Sequence, residues 1–314
     1  MDSQSPDKSV KSDFSKLGFG LVLFLLVPQI VAGVVSVVLS LIESPILDTD
    51  WYMWALSYVP LYFVGFPLLL LVWSSVPNRE YTPKRSHIKL NFVSIIQTAA
   101  ACMAVAYLLQ ILSMSLAGML SKLKGSSVDN PLEGMLAESG VWISSFVLIV
   151  VAPIMEEIVF RKLLYKKLMP YGANVFIIFS AAVFAMFHGN LFQIPYAFVL
   201  GAVFAYVTMI TGTISYSIAL HMIVNSIGGG IGNIVMTLGD ETASMIYGSL
   251  VLFFVFVGVV VIISKFRSRQ SIKDNIAAES ADIIIENKRN IYLNAGVIFY
   301  GIVVLVFIVL TTLA

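Results

Sequence analysis

Long apolar runs alternate with short polar segments along the whole chain. Nine runs are candidate membrane spans, at residues 17–42, 51–76, 92–120, 141–164, 174–190, 192–211, 213–236, 245–264 and 291–313. A helix rises about 1.5 Å per residue and the hydrocarbon core is about 30 Å thick, so an apolar stretch of about 20 residues predicts a transmembrane helix. The fifth and sixth runs are almost contiguous, which predicts a tight helical hairpin.

Composition supports the same class of protein. The chain has 314 residues, of which 59% are hydrophobic and 12% are charged, and its mean hydropathy is +0.92. A soluble domain carries about 25% charged residues, so we expect an all-α polytopic membrane protein with a core of about eight helices and a ninth, C-terminal transmembrane helix. The net charge of +1 gives no sign of a nucleic-acid partner and leaves the lipid bilayer as the expected surroundings. The single cysteine, Cys102, excludes an intramolecular disulfide.

Polar segments divide the chain into five predicted parts. They are a disordered cytoplasmic tail (1–16), N-terminal transmembrane helices (17–130), a helical core (131–264), a charged cytoplasmic loop (265–290) and an extra transmembrane helix (291–314). The first apolar run is too long for the apolar part of a signal peptide, so we expect it to be a retained span. The charged loop makes the last helix look like an appendage to the other eight.

The Lys and Arg distribution predicts the orientation. With a cytoplasmic N-terminus, all of the 19 basic residues except Lys122 and Lys124 fall in cytoplasmic segments. Cytoplasmic loops retain positive charge, so we expect a multi-pass protein, in a bacterial plasma membrane, with an external C-terminus. In this arrangement the basic stretch Arg161–Lys167 is a cytoplasmic stop for the fourth span.

Ionisable and amide side chains recur within or beside three of the apolar runs, where such groups are costly and need partners. They are Glu156, Glu157, Arg161, His188, His221 and Asn225. Two imidazoles and one carboxylate are sufficient to activate a water molecule, either on a metal or by direct general-base action. The cluster therefore predicts a functional site inside the membrane.

Helical spacing assigns partners within this set. Glu157 and Arg161 are four residues apart and can pair along one helix, and His221 and Asn225 share a face in the same way. Glu156 lies about 100° away from Glu157 and is left free to face another helix.

The order of the motifs is similar to that of a known family. Glu-Glu-x-x-x-Arg at 156–161, Phe-x-x-x-His at 184–188 and His-x-x-x-Asn at 221–225 resemble the CPBP family of CAAX protease and bacteriocin-processing (Abi) membrane proteins. That family includes the Ras-converting CAAX endopeptidases. The resemblance covers roughly residues 140–236 and makes 131–264 the expected catalytic core.

This resemblance implies an intramembrane endopeptidase that hydrolyses a peptide bond in a membrane-associated peptide or protein. Glu156 would activate the attacking water together with His188, and His221 with Asn225 would converge on it and suit stabilisation of the oxyanion. Glu157 and Arg161 would be a supporting pair. The family is usually described as metallopeptidases, and a glutamate mechanism without bound metal has also been argued. Zn²⁺ held by His188 and His221 stays open, since two His with a carboxylate or an amide are a sparse zinc set.

Two other classes remain as alternatives. The first is a catalytically silent membrane scaffold or immunity factor of the same fold, and the second is an ion- or proton-coupled transporter. Against a transporter, the sequence shows no internal repeat of the kind that such proteins usually carry. No His-Glu-x-x-His, Gly-x-Gly-Asp or Gly-x-Ser-x-Gly motif is present, which excludes the other common protease signatures. No sequence feature selects a substrate.

The predicted span limits conflict with the predicted site. Glu156 lies about 22 Å from the outer end of its span and His188 lies about as far from the cytoplasmic end of the next one, so in upright helices they would not meet. Either the fourth helix begins earlier, near Leu132, and extends past the membrane edge, or the fifth is short, tilted and preceded by a cytoplasmic turn at 170–172. Glycines 228, 229, 230 and 232 likewise have two interpretations, a thinned helix that admits a substrate backbone or close helix packing.

Overall fold

The computed structural model describes residues 6–137, 139–266, 269–283 and 285–313. Within these residues the chain is helical and contains no β-strand. By length and composition, eight of the described helices can cross a membrane, and one further apolar helix is shorter. The predicted fold class, an all-α polytopic membrane protein, is confirmed.

Twelve helices form the described part of the chain. They are α1 (Pro6–Leu41), α2 (Tyr52–Ser74), α3 (Phe92–Lys124), α4 (Pro131–Ala137), α5 (Val141–Tyr171), α6 (Ala173–Phe187), α7 (Ile194–Thr211), α8 (Ser215–Leu238), α9 (Glu241–Phe266), α10 (Arg269–Ala278), α11 (Arg289–Tyr292) and α12 (Ala295–Leu313). A short 3₁₀ helix, Pro45–Asp48, lies between α1 and α2. The π-helical turns are Leu61–Gly65 in α2, Val147–Val151 and Ile158–Leu163 in α5, and Ser226–Gly230 in α8.

The first helix begins well before the predicted first span. Residues 6–16 are helical, so the prediction of a disordered tail is wrong for them, and residues 1–5 lie outside the described residues. Phe14 is fully buried in the hydrophobic core. The buried carboxylate of Asp13 accepts hydrogen bonds from Arg79 at 2.8 Å and from the Tyr171 hydroxyl at 3.0 Å. These contacts explain why a polar stretch of sequence is ordered.

The last helix is part of the packed core rather than an appendage to it. The Gly296 N–H donates to Ser15 Oγ at 3.0 Å, at the crossing of α12 and α1. Tyr300 is fully buried and its hydroxyl donates to the Val183 carbonyl of α6 at 3.0 Å. The C-terminal helix therefore supports one of the helices that carry the candidate site.

The corner between α5 and α6 explains how Glu156 and His188 reach the same depth in the helix bundle. The predicted end of the fourth span at residue 164 is wrong, because α5 continues to Tyr171 and then turns at Gly172, whose φ of +97° favours glycine. Glu156 lies about 15 residues before this corner and His188 about 15 residues after it, so both are about 22 Å from it. The structure combines parts of both predicted solutions: α5 begins at Val141 rather than near Leu132 but runs on to Tyr171, and α6 is short and follows a turn.

Candidate active site

A buried carboxylate links two of the three motifs. Glu157 and Arg161 have no exposed side-chain area, and Arg161 Nε lies 3.3 Å from Glu157 Oε2. The other oxygen, Oε1, accepts a hydrogen bond from His221 Nδ1 at 3.0 Å. Breaking a buried ion pair by removing one partner is costly, so these three side chains form one unit. Arg161 is therefore inside the helix bundle, and its predicted place in a cytoplasmic stop is wrong.

Phe184 is the aromatic centre of this unit. The Arg161 guanidinium carbon lies 4.2 Å from the ring centroid, a distance at which a cation is attracted to the ring face. The rings of His188 and His221 meet Phe184 edge-on, with centroids 4.9 and 5.8 Å away. The Phe-x-x-x-His motif thus places one ring against a cation and two imidazoles.

Close packing of α7 on α6 requires a small residue at Gly201. A Cβ there would lie 3.0 Å from Phe184 and 3.1 Å from the backbone of Ala181. Arg161 also donates to the Gly201 carbonyl at 3.4 Å. A larger residue would displace the ring that supports the arginine.

Hydrogen bonds define the tautomers of the two imidazoles. His188 Nδ1 lies 3.0 Å from the Phe184 carbonyl, which can only accept, so this nitrogen carries the proton. His221 Nδ1 donates in the same way to the Glu157 carboxylate. In the neutral rings both Nε2 atoms are then unprotonated and available to accept a proton.

Four predicted catalytic residues, Glu156, His188, His221 and Asn225, line one cavity of about 250 Å³, here called the central cavity. The Glu156 side chain is 17% exposed, and its Oε2 lies 3.6 Å from His221 Nε2. Glu157 and Arg161 do not line this cavity and lie behind it. The structure therefore separates the two adjacent carboxylates, one facing the cavity and one facing the protein interior.

Asn225 is held by an unusual feature of α5. The π-helical turn Val147–Val151 directs the Ala152 N–H to the Val147 carbonyl, and Pro153 has no N–H to give. The Leu148 carbonyl is left without an α or π partner in its own helix, and Asn225 Nδ2 donates to it at 3.0 Å. The second N–H of this amide is not used by that bond. Such π-helical turns are frequent at functional sites.

Several lining residues lie outside the three motifs and were not predicted. They come from α2, α4 and the start of α7 and are Trp54, Ser57, Tyr58, Leu132, Met135, Gln193, Tyr196, Ala197 and Leu200. Trp54 Nε1 donates to Ser144 Oγ at 2.9 Å and fixes α2 against α5. Aromatic residues near the start of a span are typical of membrane interfaces, so nothing in the sequence indicated that Trp54 and Tyr58 line a site. The apolar run of α4 is too short to predict a membrane span, so this helix was not predicted.

The positions of the side chains decide whether the central cavity suits a resident metal. Among the described residues, no three His, Cys, Asp or Glu side chains are grouped closely enough to hold one ion. Two free Nε2 atoms and a carboxylate are the right atom types for zinc, but this placement does not form a three-ligand set. Zinc binding by His188 and His221 therefore stays open, as in the sequence.

The segment that carries the site residues matches a known protein family. Residues 138–227 match the family model described as Type II CAAX prenyl endopeptidase Rce1-like. The matched segment, 90 of the 314 residues, is therefore similar to the CAAX protease family. It contains all six predicted site residues, and the match supports the resemblance seen in the sequence. With its eight long apolar helices, the chain is an integral multi-pass membrane protein, and the matched segment extends from just before α5 into α8. Comparison with curated proteins and with solved structures gives no match.

Proposed function

We propose that this protein is an intramembrane endopeptidase that hydrolyses a peptide bond in a membrane-associated peptide or protein. The observation that carries the proposal is the pair formed by Glu156 and His221 in the central cavity. Glu156 Oε2 and His221 Nε2 lie 3.6 Å apart, and in the neutral ring both are acceptors. Glu156 Oε2 can therefore accept a hydrogen bond from a water in the cavity, with His221 Nε2 beside it as the next acceptor of the proton.

Glu156 is the general base in this mechanism. As the water oxygen bonds to the scissile carbonyl carbon, one water proton moves to the Glu156 carboxylate and the carbonyl oxygen becomes an oxyanion. When the C–N bond breaks, that proton passes to the leaving nitrogen. The products are one peptide with a new C-terminal carboxyl group and one with a new N-terminal amine, and Glu156 returns to its ionised state.

His221 is placed to share the proton held by Glu156. An imidazolium formed there keeps Glu157 as its partner on Nδ1, at 3.0 Å, while Arg161 balances the charge of Glu157. His188 Nε2 can accept the second hydrogen of the water, since its Nδ1 is held by a backbone carbonyl. The free N–H of Asn225 and protonated His221 are the groups that can donate to the oxyanion.

The substrate is proposed only as a class. The matching family model is described for CAAX prenyl endopeptidases, whereas the central cavity combines aromatic, aliphatic and amide side chains that suit peptide side chains as well as a prenyl group. We propose a cytoplasmic N-terminus and an external C-terminus, because this orientation keeps the basic loops inside.

The test is cleavage by purified protein in proteoliposomes and comparative peptidomics of membranes. Glu156→Gln keeps the shape of the side chain but removes the base, and we expect loss of cleavage by at least about 10²-fold, as for other general bases. Glu241→Gln, at the exposed start of α9, is the matched control and should cleave like the wild type. Cleavage retained by Glu156→Gln would reject the mechanism. A cellular phenotype that survives in this variant would favour the scaffold alternative.

A further inference from the structure

A second cavity of about 300 Å³, here called the side cavity, adjoins the central cavity. Six residues line both cavities: Leu132, Leu148, Gln193, Tyr196, Leu200 and Asn225. One layer of side chains therefore separates the two spaces.

Two glycines widen the side cavity. Gly228 and Gly229 line it within the π-helical turn Ser226–Gly230. A Cβ on Gly229 would meet no atom within 4 Å, and a Cβ on Gly228 would meet only the end of Met103 at 3.9 Å. Neither glycine is therefore required for helix packing. Their missing side chains leave room next to Asn225.

The next two glycines of α8 behave differently. A Cβ on Gly230 or Gly232 would lie 2.5 or 2.6 Å from side chains of neighbouring helices. Those two positions are packing glycines. The packing interpretation of the glycine cluster therefore holds for Gly230 and Gly232, and admission of a substrate stays a prediction for Gly228 and Gly229.

The polar lining of the side cavity favours one kind of chain. Side-chain amides come from Gln110, Asn130, Gln193 and Asn225, and they can pair with peptide N–H and C=O groups. Glu133 is the one charged residue in the lining, and within the described part of the chain it forms no ion pair. No Lys, Arg or His side chain of the described residues lines this cavity, so a C-terminal carboxylate would find no cation there.

We propose that the side cavity is a substrate subsite that takes an extended polypeptide segment of neutral or positive charge, next to the scissile bond. The proposal rests on the endopeptidase function proposed above. It makes Glu133 a specificity-determining residue that selects Lys or Arg at one fixed position of the substrate. It makes Gly229 the position at which added volume blocks the substrate.

A peptide library in proteoliposomes tests the subsite. The probe is a set of 14-residue peptides with randomised positions, in vesicles of phosphatidylethanolamine and phosphatidylglycerol, with the products sequenced by mass spectrometry. We expect the wild type to favour Lys or Arg at least about 5-fold over Asp or Glu at one position within a few residues of the cleaved bond. Glu133→Lys should reverse this preference. A wild-type profile without any preference for basic residues would overturn the proposal.

Added volume gives a second measure in the same assay. Gly229→Leu should raise KM about 10-fold for peptides that extend into the side cavity and change KM little for peptides truncated on that side. Gly248→Leu is the matched control, because a Cβ there also meets no atom within 4 Å and the residue lines neither cavity. Melting temperatures of the three proteins report whether each variant folds. A folded Gly229→Leu protein with wild-type KM would reject the subsite.

Photo-crosslinking separates failure of the subsite from failure of the proposed function. In the Glu156→Gln background, Tyr107→benzoylphenylalanine places the probe in the side cavity, and Phe253→benzoylphenylalanine places it on the exposed surface of α9. We expect library peptides to crosslink at position 107 and not at 253. Peptide crosslinks without Glu156-dependent cleavage by the wild type would retain the subsite and reject the function. Cleavage without crosslinks at 107 would do the reverse.

Discussion

The side-chain amide of Asn225 completes a hydrogen bond that Pro153 cannot make. Asn225 Nδ2 donates at 3.0 Å to the Leu148 carbonyl. In the π-helical register that carbonyl would pair with the N–H of residue 153, which proline lacks. This hydrogen bond joins the His-x-x-x-Asn motif on α8 to α5, the helix that carries the Glu-Glu-x-x-x-Arg motif. Asn225 therefore holds the two helices together at the wall of the central cavity.

This relationship predicts that the effects of changes at the two positions are coupled. Asn225→Ala should lower the free energy of unfolding by about 1 kcal/mol, the usual value of one hydrogen bond. In a Pro153→Ala background the new N–H of residue 153 can pair with Leu148, so the same substitution should cost less, with a coupling energy of about 0.5 kcal/mol or more. Unfolding of the four proteins in detergent measures the cycle. Equal costs in both backgrounds would contradict the assignment.

Sequence patterns predicted the helices better than they predicted the geometry of the site. All nine apolar runs are helices, because hydropathy reports directly on burial in lipid. The end of α5 was placed too early, at residue 164, since charged residues normally mark the membrane edge, whereas Arg161 is paired with Glu157 inside the bundle. Once α5 is extended to Tyr171, Glu156 and His188 are equally far from the corner and the site can form.

The partners of the site residues were predicted in part. The pairing of Glu157 with Arg161 follows from helical spacing alone. The bond from His221 to Glu157 depends on how α8 packs against α5, and the bond from Asn225 depends on a π-helical turn. Neither leaves a periodic signal in the sequence.

The buried unit of Glu157, Arg161 and His221 predicts that a single substitution lowers the free energy of unfolding more than a double substitution does. Glu157→Gln leaves the guanidinium buried without a counter-charge, and we expect a loss of about 3–5 kcal/mol in unfolding free energy. Glu157→Gln combined with Arg161→Met removes both charges and should recover much of that stability. Chemical unfolding in detergent measures both proteins.

Activity should not recover together with stability in the double variant. His221 would lack the carboxylate that orients its Nδ1, at 3.0 Å in the wild type, and loss of the carboxylate that orients a catalytic imidazole can cost up to about 10⁴-fold. Cleavage per folded molecule is the readout. A stable double variant with full activity would show that the pair serves folding alone.

Metal dependence is the third prediction. Because no three side chains of the described residues are grouped around one point, we expect purified protein to cleave after dialysis against EDTA and 1,10-phenanthroline. Metal analysis should find well under one zinc per chain. Loss of cleavage that added Zn²⁺ restores, and that His188→Ala abolishes together with zinc binding, would establish the metallopeptidase alternative.

The last prediction concerns Glu279, which joins the loop between α2 and α3 to the start of α6. Its buried carboxylate accepts from the N–H groups of Lys84 and Arg85 at 3.1 and 3.0 Å and from the Tyr81 hydroxyl. Its backbone carbonyl accepts from the Ala173 N–H at 3.1 Å, at the first residue of the helix that ends beside His188. Burial and the hydrogen bond to Glu279 raise the pKa of Tyr81, so this hydroxyl remains a donor at any assay pH.

Glu279→Ala leaves three donors without their acceptor, and we expect it to lower the free energy of unfolding by about 2–3 kcal/mol. Glu279→Gln keeps one acceptor oxygen and should fall between the wild type and Glu279→Ala. Glu286→Ala, at an exposed position in the same loop, is the control and should unfold like the wild type. Because the loop supports the start of α6, hydrogen exchange at the amide of residue 173 should rise in Glu279→Ala before the helix bundle unfolds. Unchanged exchange at that amide would mean that the loop does not hold α6 in place.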